Sequence, residues 1–366
     1  MAEIQVSNSA PVEPLVDQGK GQEGSVSQPV VVAGHSGQIT FKRVKTETAG
    51  EFEVYIQGNI EAGRFICLTY HDIGLNHTAF VKFLGDASVK YLTSKVGFVH
   101  INAPGQEPNA EDLPDKDHKG HHVRYNYPSM QQLADEIPQI LTELGIPDDK
   151  QILGFGEGAG ANILVRYADK SKRQVIGLVL LECTMSTASF AEWGQEKVAS
   201  WKLTHSGMNP GAEKYILWHH LGHYGKDKLH VVKNYHENLY KHMNPKNLAA
   251  FINAFCSRDD ISNRVKQIRC PVLLVTGDKS PHAKDVDKIF QLLPDKKLSS
   301  IMKAEDVGGD IKEEDPKKLG ESFQYFLQGL GLIADVPMPR LGRSASLGET
   351  SREKRSSSMS EMDHTL

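Results

Sequence analysis

Five short apolar runs constrain the fold of this chain more than any other feature of its sequence. Most of them end at a glycine or an aspartate, and segments of helical period separate them; the runs are residues 65–74, 96–105, 151–160, 175–182 and 271–278. Parallel strands that are buried on both faces have such continuous apolar sequences. Apolar and polar residues alternate through residues 37–60, around Thr48-Ala49-Gly50, which predicts a hairpin before the runs. The sequence therefore predicts an α/β fold with a mostly parallel sheet and an N-terminal hairpin.

Local signals predict where two of the helices begin. Ser129 and Gln132 have the Ser-x-x-Gln spacing of a capping box, so a helix is expected to start there. Pro138 lies inside that segment and predicts a kink, because proline lacks the N–H that an interior turn needs. Asp315 and Pro316 are the residue types of an N-cap and a first helical turn, which predicts a last helix after them.

Composition divides the chain into one large domain and two terminal segments. Residues 1–32 and 336–366 are polar and lack an apolar period, which predicts disorder at both ends. Residues 33–335 form the predicted domain, and within it about 186–265 replaces the strand–helix alternation with helical period. We expect this stretch to form a helical cap over the C-terminal edge of the sheet, where open α/β sheets place their ligand crevice.

Charge and hydropathy exclude several classes of function. The chain has 42 Lys+Arg and 46 Asp+Glu, a formal net charge of −4, so nucleic-acid binding through phosphate neutralisation is not expected. No apolar run approaches the roughly 20 residues that span a bilayer. The four cysteines form no C-x-x-C pair, which argues against a zinc knuckle or a disulfide scaffold. We expect a cytoplasmic protein.

A glycine-rich turn, GFGEGAG, follows one of the apolar runs, and two functions compete for it. Gly154, Gly156 and Ala159 match a dinucleotide-binding fingerprint, in which Glu182 would bind the ribose. Glu182 is farther from Gly154 than the usual spacing of about 20 residues. The alternative is the G-x-S-x-G elbow that holds the nucleophile of α/β-hydrolases. The nucleophile position is then Gly156, or Gly158 if the register shifts by two, and glycine has no oxygen or sulfur to attack with.

The other two positions of a hydrolase triad also lack their usual residues. In α/β-hydrolases the acid and then the histidine follow the nucleophile along the chain. The acid position, after the last apolar run, holds Ser280, although Asp278 or Asp285 could substitute for it. The histidine position falls near Gly309, and the only histidine from there to the C-terminus is His364. Without a general base a serine stays protonated and weakly nucleophilic, so no hydrolytic activity of the usual kind is expected.

Four motifs resemble those of the N-myc downstream-regulated (NDRG) family. They are residues 69–77 (TYHDIGLNH), 100–107 (HINAPGQE), the glycine elbow 154–160 and 325–329 (YFLQG). The resemblance covers roughly residues 35–335, and a Ser/Arg-rich tail completes it. Glu157 departs from the family pattern, which has a small apolar residue at this position.

The resemblance implies both a fold and a function. The family is α/β-hydrolase-like and lacks the hydrolytic triad, so the implied fold is a mostly parallel sheet with an N-terminal hairpin, a helical cap and disordered tails. The implied function is that of a noncatalytic signalling or adaptor protein in stress response, differentiation and trafficking. Such a protein acts through partners in the cytoplasm, with phosphorylation of its tail, and needs no cofactor.

Several residues are candidates for a binding crevice under the cap: His71, Asp72, Gly74, Gly156 and Glu157. Two alternatives to a noncatalytic role stay open for this crevice. One is a hydrolase of unorthodox mechanism that uses Asp72, Glu157 or Cys183. The other is a sensor whose cap closes on a lipid or a small molecule without converting it.

Histidines at two places have the composition of metal sites but lack further ligands. His219 and His223 have the i,i+4 spacing of a zinc pair, without the glutamate of an H-E-x-x-H motif between them. His118, His121 and His122 lie in a polar Lys/Asp-rich loop, where solvent-exposed side chains are the simpler interpretation. No metal site is predicted.

The C-terminal tail has the sequence pattern of a kinase substrate. Five basic and two acidic residues lie between residues 340 and 360, a charge of +3. Arg343 and Arg355 precede serines at the spacing that basophilic Ser/Thr kinases prefer, and the candidate sites are Ser344, Ser346, Ser356, Ser357 and Ser358. Each phosphate adds about −1.5 to −2, so phosphorylation would invert the charge of the tail. We expect the unmodified tail to bind acidic membrane surfaces or protein partners and the phosphorylated tail to release them; a solvated linker is the alternative.

Overall fold

The computed structural model describes most of the predicted domain. The described residues are 39–114, 125–187, 199–200, 202–223 and 228–333. No helix in these ranges is long and apolar enough to cross a membrane. The predicted disorder of residues 1–32 and 336–366 lies outside the described residues, as do the tail serines and His118, His121 and His122. The three-part division of the chain therefore stays a prediction.

In the described residues, eight strands form one sheet. They are β1 (Ile39–Thr46), β2 (Gly50–Gln57), β3 (Phe65–Tyr70), β4 (Gly97–Ile101), β5 (Gln151–Glu157), β6 (Val175–Leu181), β7 (Val272–Gly277) and β8 (Ser300–Ala304). Their order across the sheet is β1-β2-β4-β3-β5-β6-β7-β8. The β1–β2 and β2–β4 pairs are antiparallel and the other five pairs are parallel. The predicted hairpin and the mostly parallel sheet are both confirmed.

Helices cover both faces of the sheet. They are α1 (His77–Gly85), α2 (Met130–Asp135), α3 (Ile137–Glu143), α4 (Ala159–Lys170), α5 (Pro210–Leu221), α6 (Leu229–Lys241), α7 (Pro245–Cys256), α8 (Ser262–Val265), α9 (Ala283–Leu292), α10 (Ile311–Glu314) and α11 (Pro316–Gly329). Apolar residues of α2, α3, α4 and α9 pack against one face. Those of α1 and α11 pack against the other, where Phe155 of β5 contacts Phe80, Phe83 and Phe323. The parallel strands are thus buried on both faces, as their continuous apolar sequences predict.

The helix-end signals act as predicted. Ser129 and Gln132 form both hydrogen bonds of the capping box at the start of α2. The segment that contains Pro138 is divided at Glu136 into α2 and α3, with the proline in the first turn of α3, where its missing N–H costs little. The Asp315 side chain accepts a hydrogen bond from the Lys318 N–H and caps α11.

A helical cap is inserted between β6 and β7. Its described helices α5, α6 and α7 lie over the ends of the parallel strands, which confirms that the predicted cap is helical. The C-terminal end of α5 comes close enough to the body for the Gly309 N–H to donate a hydrogen bond of 2.6 Å to the His220 carbonyl. The cap therefore rests directly on the edge of the sheet where the candidate site residues lie.

Candidate functional site

The turn between β5 and α4 has the backbone of a nucleophile elbow. β5 ends at Glu157, α4 starts at Ala159, and Gly158 between them has φ +48° and ψ −111°. A residue other than glycine rarely adopts these backbone angles without strain. The neighbouring Gly160 is also close-packed, because a Cβ there would lie 2.1 Å from the Tyr70 carbonyl oxygen. Glycine at both positions permits the sharp turn.

The position of the turn decides between Gly156 and Gly158, the two positions predicted for the nucleophile. Gly156, the predicted nucleophile position, still belongs to β5 and pairs with Tyr70 and Leu180 of the neighbouring strands. Gly158, the alternative register, is the residue at the turn. The sequence could not decide between them because glycines recur at every second position. The position that would carry a nucleophile is therefore Gly158, which has no side chain.

The Asp72 carboxylate occupies the space above Gly158. A Cβ on Gly158 would lie 2.0 Å from Asp72 Oδ2, so no side chain fits there without displacing the carboxylate. Asp72 Oδ1 accepts hydrogen bonds of 2.8 Å from the Ile73 and the Ala159 N–H groups. The N–H that follows the nucleophile position and one from the loop after β3 are the donors that form the oxyanion hole of α/β-hydrolases. Both of these N–H groups therefore already bind a carboxylate of the chain itself.

Helix α5 of the cap completes the environment of Asp72. The His219 Nε2–H donates a hydrogen bond of 2.8 Å to Asp72 Oδ2, and both side chains are at most 2% exposed. The His220 Nε2–H donates to the Ile73 carbonyl at 2.8 Å. Burial opposes ionisation of Asp72, but His219 and the N–H donors outweigh it and hold the pKa of the carboxyl well below its usual range. The carboxylate is charged, buried and bound to both the body and the cap.

The predicted acid position takes part in a different hydrogen-bond cluster. Ser280 donates to Glu182 Oε2 at 2.5 Å, and Glu182 also accepts from the Thr276 hydroxyl and the Gly277 N–H. Burial raises the pKa of Glu182 to about 8. The suggested substitutes lie away from this cluster: Asp278 forms an ion pair with Lys279, and Asp285 with Lys288. The structure also shows Glu182 bound within the protein and not presented to a ribose.

The cap occupies the space that a side chain would need at Gly309, the predicted histidine position. A Cβ on Gly309 would lie 2.3 Å from the His220 carbonyl oxygen, so a histidine does not fit there while α5 is in place. The next residue, Asp310, is buried, and it accepts from the Tyr235 hydroxyl at 2.7 Å and from Lys312 at 2.9 Å. Lys312 also contacts Glu157.

Glu157 therefore lies in a buried ion cluster. Its carboxylate pairs with Lys312, and all three side chains of the Glu157–Lys312–Asp310 cluster are at most 2% exposed. Burial raises the pKa of Glu157, and the charge of Lys312 opposes that shift. Glu157 thus has a charged partner, Lys312, which nothing in the local sequence pattern identified.

The remaining crevice candidates are also buried under the cap. The His71 Nδ1–H donates to the Asp72 carbonyl, and its Nε2 accepts from the Ala103 N–H at 2.9 Å. Burial lowers the pKa of His71 to about 4, so the ring is neutral. Gly74 faces Ile216 of α5, whose Cγ2 would lie 3.0 Å from a Cβ there. The Cys183 thiol is fully buried and its pKa is raised by burial.

One group of residues has the composition of a metal site. Ligand atoms of Asp72, His219 and His220 lie within 4.8 Å of one another. His223, which has the i,i+4 spacing to His219, is exposed beyond the end of α5 and does not belong to this group; its second histidine is His220. The Asp72 and His219 atoms are joined by a direct hydrogen bond, and Asp72 Oδ1 is committed to two N–H groups. These bonds account for the geometry of the group without an ion.

The sheet order, the strand–turn–helix elbow and the cap inserted after β6 define the α/β-hydrolase fold. Solved structures bear this out: a thermophilic esterase from Thermogutta terrifontis has a TM-score of 0.64 at 15% identity, covering 80% of this chain and 99% of its own. An enol-lactonase from Burkholderia xenovorans LB400 has a TM-score of 0.62 at 14% identity, covering 78% of this chain and 100% of its own. At such identities the likeness shows the fold alone.

The chain belongs to the Ndr family, whose model matches residues 42–334. Protein NDRG1 of Xenopus tropicalis is 35% identical over 81% of this chain and 73% of its own length. Protein NDRG2 of Bos taurus is 32% identical over 96% of this chain and 89% of its own. An uncharacterized protein of Caenorhabditis elegans is 34% identical over 86% of this chain and 93% of its own. The family predicted from the sequence motifs is thus confirmed.

Removal of the Asp72 carboxylate tests its role in this site. Asp72→Ala leaves the Ile73 and Ala159 N–H groups buried without an acceptor, so we expect a loss of about 3–5 kcal/mol in the free energy of unfolding. Formate should restore part of that stability by binding the two N–H groups. Urea unfolding with formate or chloride measures both effects. Asp278→Ala, at the partly exposed Asp278, is the control. If formate stabilised Asp278→Ala as much as Asp72→Ala, the result would contradict the role of Asp72 as the acceptor of the two N–H groups.

The buried histidines make stability depend on pH. Burial lowers the pKa of His220 to about 4, below its usual 6.5, so the unfolded chain binds the proton more tightly. The contribution of His220 is therefore fully present above pH 6.5 and is lost as the pH falls toward 4. His220→Gln keeps an N–H donor but lacks this contribution, so we expect the difference in the free energy of unfolding between wild type and variant to change by about 3 kcal/mol from pH 6.5 to pH 4. Unfolding midpoints between those pH values measure it, with the exposed His230→Gln as control.

Proposed function

We propose that this protein is a noncatalytic interaction protein with an α/β-hydrolase fold. The observation that supports the proposal most directly is the Asp72 carboxylate, which binds both oxyanion-hole N–H groups and occupies the space above Gly158. An ester substrate needs those two N–H groups for the oxyanion that forms in its transition state. Here an internal anion already holds them, and the position of the nucleophile is a glycine.

Charge makes the displacement of Asp72 by a substrate unfavourable. Hydrogen bonds to a charged group contribute about 1.5–3 kcal/mol each, and Asp72 accepts three of 2.8 Å. A substrate oxyanion would have to take the two N–H groups from Asp72 Oδ1 and leave the buried carboxylate with His219 as its remaining partner among these three donors. Substrate binding in this crevice would also require the cap to move, because the Gly309 N–H is bonded to the His220 carbonyl.

The alternative of an unorthodox hydrolase has less support from the geometry. Asp72 is engaged by three donors, and Glu157, whose Oε1 is paired with Lys312, is 1% exposed, so a substrate reaches neither carboxylate while the cap is closed. Cys183 is fully buried with a raised pKa, which suppresses the thiolate that a nucleophile requires.

The sensor alternative is favoured by one specific feature. A cavity of about 230 Å³ lies between α1, α6 and α10, at the seam of the cap and the body. Its lining includes Asn76, Thr78, Asn234, Asn238 and Glu313, with Leu75 and Ala79 as an apolar wall. A volume of this size holds a small polar molecule, so a ligand there could bind both the cap and the body.

The finer function follows the family. We propose roles in signalling, stress response, differentiation and trafficking, carried out through protein partners in the cytoplasm. The Ser/Arg-rich tail would regulate them: unmodified, it carries +3 and binds acidic partners or membrane surfaces; phosphorylated on Ser344, Ser346 and Ser356–Ser358, it releases them.

Absence of turnover is the direct test of a noncatalytic role. Purified protein is expected to hydrolyse short and long acyl esters no faster than a heat-denatured sample and to take up no serine-hydrolase probe. Gly158→Ser alone should remain inactive and lose stability, because its Cβ would collide with Asp72. Ester turnover by wild type that disappears in Glu157→Gln or Asp72→Asn would refute the proposal in favour of an unorthodox hydrolase.

The tail is tested by its modification and by its removal. A basophilic kinase should phosphorylate residues 344–358, and the unmodified chain should bind vesicles that contain phosphatidylserine more strongly than the phosphorylated chain does. A chain with the five candidate serines changed to Ala is the control, because it keeps the arginines and cannot be modified. Equal vesicle binding with and without residues 336–366 would contradict a docking role for the tail.

A further inference from the structure

In the described part of the chain, strand β8 leaves one edge of the sheet open. It pairs with β7 on one side, and in the described residues no strand pairs with its other side. Ala304 faces β7, because its carbonyl accepts from the Asp278 N–H. The backbone N–H and C=O groups of successive residues in a strand point to opposite sides. Those of Met302 therefore also point toward β7, while those of Ile301 and Lys303 point outward.

These outward groups are arranged symmetrically about Met302. If a second copy of β8 runs antiparallel with Met302 opposite Met302, Ile301 of each copy lies opposite Lys303 of the other. Each such pair exchanges two N–H···O bonds, so four backbone hydrogen bonds form across the two-fold axis. The edge is thus complementary to itself in this register, whereas a shift by one residue places outward groups opposite inward ones.

The surface beside this edge is mostly apolar, although Lys297, Ser300 and Ser322 also line it. A groove of about 460 Å³ lies between β8 and α11, and its wall includes Met302, Phe326 and Leu330. Leu298, 61% exposed, and Tyr325, 39% exposed, also line it, and they are two of the four large hydrophobic side chains that are exposed in the described part of the chain. Met302 packs on this face, so the two-fold pairing brings two such grooves together.

The charge of Lys303 does not oppose the pairing. Lysines on an edge strand commonly protect it against association. Lys303, however, forms an ion pair of 2.6 Å with Asp287 of α9, on the face opposite to the groove. Its charge is therefore balanced within each copy and does not project over the edge.

We propose that two copies of this chain associate through β8, antiparallel about Met302, and join their sheets into one of sixteen strands. The occupant of the edge is a second copy because the free backbone groups match their own symmetry mate and the exposed apolar side chains lie beside them. This interface goes beyond the proposed noncatalytic role and does not depend on it.

One pair of variants at Lys303 separates the backbone from the side chain. Lys303→Pro removes an outward N–H that β7 does not use, so the monomer should stay folded while the dimer loses two of its four hydrogen bonds. Lys303→Ala removes the same side chain and the same ion pair but keeps the N–H. In sedimentation equilibrium of the full chain, we expect wild type and Lys303→Ala to dimerise and Lys303→Pro to dimerise at least about tenfold more weakly.

A cysteine at the two-fold axis tests the register independently of stability. Residues opposite each other at a non-hydrogen-bonded position have Cα atoms about 4.5 Å apart, within disulfide range. Met302→Cys should therefore give a covalent dimer on mild oxidation, and Leu229→Cys, at an exposed apolar position on the cap, should not. A wild-type chain that is monomeric at every concentration, equal association of the two Lys303 variants, or equal crosslinking at both cysteines would overturn the proposal.

Discussion

The arrangement at the C-terminal edge of the sheet depends on one buried carboxylate. Asp72 follows β3, accepts hydrogen bonds from the Ala159 N–H at the elbow and from His219 of the cap, and so ties three distant parts of the chain together. A buried charge is tolerated only where donors satisfy it, because an unpaired one costs several kcal/mol. The position of the elbow, the closed cap and the loop after β3 are each constrained by this requirement.

The residues that replace the hydrolase triad also create the room that the cap and Asp72 fill. A Cβ on Gly158 would collide with Asp72, and a Cβ on Gly309 would collide with the His220 carbonyl. A nucleophile at the first position or a histidine at the second would therefore force both contacts apart. The absence of a side chain at these two positions and the closure of the crevice therefore depend on the same two glycines.

Much of the fold could be predicted because its signals are local. The capping box at Ser129, the proline that starts α3 and the Asp315 cap each depend on residues within one helical turn, and the apolar runs depend on burial of both faces of a strand. The elbow was harder: glycine at every second position fits two registers, and only the pairing of Gly156 with Tyr70 in the sheet shows that Gly158 is at the turn. The site partner Lys312 carried no local signal, and the i,i+4 spacing of His219 to His223 did not indicate that His219 binds Asp72.

The sequence by itself determined which side chains are available: a glycine at either candidate nucleophile position and no histidine after β8 where a triad would need one. It also determined the strands and helices, since these follow from the periodicity of neighbouring residues. Only the tertiary structure decided what occupies the crevice. Asp72 and His219 are 147 residues apart in the chain, and their bond exists because the cap folds back over the sheet. A pair so distant leaves no periodic pattern, because its energy depends on proximity in space and not on spacing along the chain.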